Sequence, residues 1–109
     1  MMDVETIRAD LLPYVEKLRA LHTPEEIRDF LLHEEVKAQQ SKATGCAIAV
    51  YLFEHTNHVV GVSQNHIYAF TEALGGQSVC SWPVVADTSE AMKQFVYNFD
   101  DGFYPELLG

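Results

Sequence analysis

The run Cys46-Ala-Ile-Ala-Val-Tyr-Leu-Phe53 carries no charged side chain, and no other segment constrains the fold as tightly. It is far shorter than the ~20 residues that span a bilayer, so it has to be buried in protein rather than in lipid. Read as a helix it is apolar all round, which calls for neighbours on several sides. The polar stretch from Lys37 to Thr44 has no periodicity and reads as the loop that delivers the chain to Gly45 and Cys46.

A cysteine at the head of such a helix has two readings. If its sulfur is exposed, the free N–H groups and the positive end of the helix dipole favour thiolate, a recognised route to a nucleophile. If buried, it is a small core side chain. Cys80 also falls in a segment that reads as buried, so free thiols in a reducing cytosol are expected rather than a disulfide framework. A chain of 109 residues that is 48% hydrophobic can bury one modest core, and a single globular domain over residues 1–109 is expected. Met1 to Thr6 include Asp3 and Glu5 and form no basic region leading into an apolar one, so a cytoplasmic rather than a secreted protein is expected, with no membrane partner.

The net charge is −9. Residues 1–42 hold nine acids and six bases, whereas residues 43–109 hold seven acids and one base, Lys93. With so few cations to neutralise phosphate, direct nucleic-acid binding is not expected. A protein partner, or mimicry of nucleic acid by aligned carboxylates, is compatible with that charge.

Val4, Ile7, Leu11, Val15 and Leu18 recur at helical spacing, with Pro13 among them. Proline lacks an N–H and crowds the preceding turn, so this stretch is either a kinked helix or two short ones meeting near Pro13. Thr23-Pro24-Glu25-Glu26 supplies a capping hydroxyl, a first-turn proline and a third-position glutamate, predicting a helix that runs to about Val36 with Ile27, Phe30 and Leu31 inward. Beyond Glu54 the pattern turns to β-rich runs at Val59 to Ser63, His66 to Phe70 and Gln77 to Trp82, which suggest a three-stranded antiparallel meander. Asp87, Thr88 and Ser89 offer N-caps for a last helix carrying Ala91, Met92, Phe95, Val96 and Phe99, ended by Gly102. The fold class expected is therefore α+β: N-terminal helices, a buried central helix, a meander, and a C-terminal helix on one sheet face.

Taken together, Thr23-Pro-Glu-Glu-Ile27 with Leu31-Leu32, Cys46-Ala-Ile-Ala-Val-Tyr-Leu52, Phe95-Val96 with Phe99-Asp100, and Gly102-Phe-Tyr-Pro-Glu-Leu107 resemble a group of small proteins of unknown function from actinobacteria and their phages. The resemblance spans residues 13–108. Members usually show Cys-Pro where this chain has Cys46-Ala47, and often a basic or polar residue at the position of Val50. What the resemblance implies is context: a bacterial or phage cytosolic accessory factor.

Three chemical readings are to be weighed. A reduced papain-like hydrolase or amidase would use Cys46 as nucleophile, His66 at a strand start as base, and Gln77 or Ser78 to orient the imidazole. Against it stand the short Cys46-to-His66 separation and a Gly-Cys-Ala context that is no signature. His55, His58 and His66 with Glu54 have the ligand types for zinc, but no cysteine pair or supporting carboxylate pattern accompanies them, so no metal or other cofactor is expected. Glu25-Glu26, Glu34-Glu35 and Asp100-Asp101 suit solvated faces better than acid–base chemistry. Trp82, followed by Pro83, and the cluster Phe99, Phe103 and Tyr104 are candidate anchors because aromatic side chains dominate interface hot spots, and of these Trp82 and Tyr104, which sit where elements end, are the expected protein-binding residues. A free edge of the meander would further permit a homodimer. The function expected is a non-enzymatic acidic protein-binding accessory factor, with the Cys46–His66 hydrolase and the nucleic-acid mimic as alternatives.

Overall fold

A computed structural model describes residues 4–38, 45–72, 80–81 and 83–108. The first helix, α1 (Val4–Arg19), runs unbroken through Pro13. Pro13 is exposed while Ile7, Leu11, Val15 and Leu18 are buried on the opposite side. The lost hydrogen bond therefore falls where water can reach the orphaned carbonyl, and the buried stripe holds both halves on one axis.

Helix α2 (Pro24–His33) starts as its sequence predicts. The Thr23 hydroxyl accepts from the Glu26 N–H at 3.1 Å, and the Glu26 carboxylate accepts from the His22 N–H at 2.9 Å. It ends three residues before Val36, because Glu35 turns left-handed at φ 59°. The Val36 N–H then reaches the Leu31 carbonyl and the Glu35 N–H that of Leu32, at 3.1 and 3.0 Å. This is a Schellman closure, sealed by burial of both Val36 and Leu31. Helix α3 (Ala47–Thr56) buries Ala47, Ile48, Ala49, Tyr51 and Leu52, and stops at Asn57 with φ 65°.

The strands are β1 (Val60–Val62), β2 (His66–Ala69), β3 (Thr71–Glu72), β4 (Cys80–Ser81) and β5 (Val84–Asp87). The antiparallel three-stranded sheet has the order β1-β2-β5, so its third strand is Val84–Asp87 and not the expected Gln77 to Trp82. Within that expected run, β4 pairs instead with β3. One register nonetheless runs from Tyr68↔Val84 to Glu72↔Cys80, so the β3–β4 pair extends the β2–β5 hairpin. The break lies at Pro83, whose carbonyl accepts from the Ala69 N–H at 3.1 Å but which has no N–H to return the bond.

Between Ile67 and Tyr68 the pairing shifts, leaving Val85 as an extra residue on β5. Arg8 of α1 reaches across to this bulge, with Nε donating to the Val85 carbonyl and Nη2 to the Val84 carbonyl, both at 3.1 Å. Arg19 donates to the Asp87 carbonyl. Side chains of α1 thus reach the backbone of β5, one of the two edge strands of the sheet.

Helix α4 (Glu90–Asp100) is capped by Ser89, whose hydroxyl accepts from the Met92 N–H at 3.2 Å. Its chief neighbour is α2, not the sheet, whose closest helical partners are α1 at β5 and α3 at β1. The 3-10 turn Pro105–Leu107 folds back beside α2, and the Ala38 N–H donates to the Leu107 carbonyl at 2.8 Å. Buried residues from all four helices and from β1, β2 and β5 join in one apolar core. Among the described residues no helix is long and apolar enough to cross a membrane.

Candidate functional site

Cys46 stands at the N-cap of α3, as its sequence suggests, but it is only 2% exposed. Burial pushes its thiol up to about 11, against the opposing pull of the Ala47, Ile48 and Ala49 N–H groups and with added repulsion from Asp100. The helix-end field that favours thiolate is present, and the loss of hydration outweighs it. At neutral pH this sulfur is a protonated core atom.

His66 does not join it. Its Nδ1 lies 2.9 Å from Asp87 Oδ1 on the open side of the β2–β5 pair, and its ring meets Tyr68 edge-on at 6.0 Å. Gln77 and Ser78 lie outside the described residues. The exposed, base-paired sulfur that the hydrolase reading requires is thus not what α3 and β2 present.

The other two histidines of the expected zinc set are likewise engaged separately. His58 Nε2 lies 2.9 Å from Asp10 Oδ2 on α1, and His55 Nε2 lies 4.0 Å from Glu34 Oε1 at the end of α2. His55 also stacks on Tyr14 at 5.0 Å and meets Tyr51 edge-on at 4.8 Å. Three histidines therefore go to three different carboxylates, and among the described residues no group of three or more His, Cys, Asp and Glu side chains converges. Tyr51 itself is fully buried, and its hydroxyl has no hydrogen-bond partner among the described residues. Burial first, then the Glu34 charge, pushes that hydroxyl up to about 12.

Of the two expected aromatic anchors, Trp82 lies outside the described residues. Tyr104 is 5% exposed and its ring serves the core. Its ring stacks on Phe95 at 5.2 Å and 8°, and Arg28 sits over its ring at 5.9 Å. Its hydroxyl accepts from Asn98 Nδ2 at 3.0 Å and donates to Glu25 Oε2 at 3.2 Å. The Tyr104 side chain pins the tail between α2 and α4 instead of offering a surface.

Two exposed aromatic side chains, Tyr97 and Phe103, flank the end of the same helix. Helix α4 closes like α2, with Gly102 at φ 89°, its N–H on the Phe99 carbonyl at 3.1 Å and the Phe103 N–H on the Asn98 carbonyl at 3.0 Å. In a Schellman closure the residue after the left-handed one turns back toward the helix positions occupied here by Asn98 and Tyr97. At the end of α2 the corresponding residue, Val36, is sealed in the core. At the end of α4 Phe103 stays in water at 61% exposure, as does Tyr97 at 55%. Asp100, Asp101 and Glu106 around them are exposed as well. Tyr97 falls off the buried stripe between Phe95 and Phe99, and that offset is the sequence signal that marks it as outward-facing.

An apolar depression of about 220 Å3 lies between α3 and β1. Exposed Phe53 and Val59 line it with Ala49, Val50 and Val60, and Glu54 is its one charged lining residue. Comparison with family models, with curated proteins and with solved structures returned no significant match.

Proposed function

We propose that this chain is a non-enzymatic, acidic protein-binding accessory factor of the bacterial or phage kind that its sequence resembles, and that it docks its partner through the end of α4. The observation that carries this reading is the exposure of Tyr97 and Phe103 at a helix closure whose counterpart on α2 buries Val36 in the position of Phe103. Large aromatic side chains left in water at a rigid, capped helix end supply contact area at low entropic cost. The neutral, buried Cys46 and the dispersed histidines favour binding over catalysis. On α1 and α2, Glu5, Glu16 and Asp29 each pair with an arginine, which favours a protein partner over a continuous carboxylate band mimicking nucleic acid.

Affinity capture with the wild type and with the double variant Tyr97→Ser, Phe103→Ser tests the reading. Both positions are exposed, so the variant keeps the unfolding temperature of the wild type. The expected result is a protein retained by the wild type and lost by the variant. Equal retention by both would place the docking surface elsewhere and overturn the reading.

A further inference from the structure

Resting on that docking surface, we infer that the Asn98 side chain and the Tyr104 hydroxyl are its positioning groups, fixing Phe103 relative to Tyr97 so that a partner meets the two rings already arranged. Asn98 directly follows Tyr97 in α4 and holds Phe103 from both sides. Its carbonyl accepts from the Phe103 N–H at 3.0 Å, and its Nδ2 donates at 3.0 Å to the hydroxyl of Tyr104, the next residue along. Phe103 is 61% exposed and draws little order from its own packing. A loose exposed ring would lose part of its contact energy to being ordered on binding.

The bonds around Asn98 run one way. Gln94 Nε2 donates to Asn98 Oδ1 at 2.9 Å, which turns the amide so that its nitrogen faces Tyr104. The phenol oxygen accepts from that nitrogen, and its own proton goes to Glu25 Oε2 at 3.2 Å. Burial, opposed by the Asn98 bond and helped by Glu25, holds this hydroxyl above its ordinary value, so it keeps the proton it donates. The chain thus leads from the surface of α4 to a carboxylate in the first turn of α2, and aligned bonds that end on a charge strengthen one another. The stack on Phe95 fixes the plane of the Tyr104 ring, and the hydroxyl bonds fix its place within that plane.

Three variants of the isotopically labelled full chain test the inference, with the neutral aromatic N-acetyl-tryptophanamide as probe. Tyr104→Phe keeps the ring and removes the hydroxyl; Glu25→Ala removes its acceptor from an exposed position; Glu25→Gln keeps an acceptor oxygen. In the wild type the probe is expected to move the amide resonances of Tyr97 and Phe103. Tyr104→Phe and Glu25→Ala are expected to bind it about threefold more weakly and to lower the order parameter of the Phe103 amide, with Glu25→Gln restoring both. A hydroxyl that serves stability alone would lower the unfolding temperature and leave the probe affinity of the folded chain unchanged. Unchanged affinity, or a Phe103 amide as ordered as in the wild type, overturns the inference and leaves the docking surface standing. If the probe moves neither Tyr97 nor Phe103 in the wild type, the docking surface falls and the inference with it.

Discussion

Glu35 stands where glycine would cost least. Its φ of 59° crowds a Cβ against the backbone, a cost of about 1–2 kcal/mol for an L-residue, and the Schellman closure of α2 holds it there. Glu35→Gly should raise stability by roughly 0.5–1 kcal/mol, less than the full strain because glycine also loosens the unfolded chain; thermal melts read this directly. Cys46 makes a prediction of the other sign. Its thiol is raised in the fold from an ordinary value near 9 to about 11, so below the lower value both states are protonated and its contribution to stability is fully present. As pH climbs between the two values the unfolded chain ionises first, and stability drains away by about 1.4 kcal/mol per pH unit. Urea unfolding across that window should show the decline in the wild type and a flatter profile in Cys46→Ala, most cleanly below pH 10, because Tyr51, raised from an ordinary 10 to about 12, adds its own decline from there upward. A pH-independent wild type would mean that the sulfur is hydrated.

Among the elements, β5 depends most on a distant one. Its bulge at Val85 leaves carbonyls that β2 does not serve alone, and the Arg8 guanidinium occupies two of them from α1. Arg8→Ala should cost about 1 kcal/mol and speed amide exchange along β5 more than along β1, as followed by hydrogen exchange and mass spectrometry. Uniform exchange in both strands would show that packing alone holds the edge. The helices were legible in sequence because caps and stripes are local: Thr23 and Ser89 stop the chain and start a turn wherever it folds. β5 was not legible, since Pro83 looks like a terminator and the bulge breaks the alternation of Val84, Val85, Ala86 and Asp87. A proline whose carbonyl still accepts a ladder bond interrupts a strand without ending its register.

For the whole molecule, the tail matters as much as any helix. Tyr104 stacks on Phe95 and ties Glu25 to Asn98, while Leu107 is fully buried and its carbonyl holds Ala38. Ending the chain at Gly102 would uncover the Phe95 face between α2 and α4, and should destabilise the fold by more than about 3 kcal/mol in urea unfolding. A loss below about 1 kcal/mol would mean the helices close over the gap by themselves.

What the sequence by itself determined is whatever depends on neighbours in the chain: the helix starts capped by Thr23 and Ser89, the stop at Gly102, an apolar α3 that has to be covered, and an acidic second half in which Lys93 is the one Lys or Arg. Only the tertiary structure decided which face each remaining side chain meets. Cys46 could be nucleophile or core, because the helix-end field is a local property and hydration is not; burial under the rest of the fold settles the balance toward the thiol. Tyr104 and Phe103 are adjacent and alike in character, yet one is sealed against Phe95 and the other stands in water. That choice belongs to the path of the tail across α2 and α4, a long-range contact on which no local pattern bears.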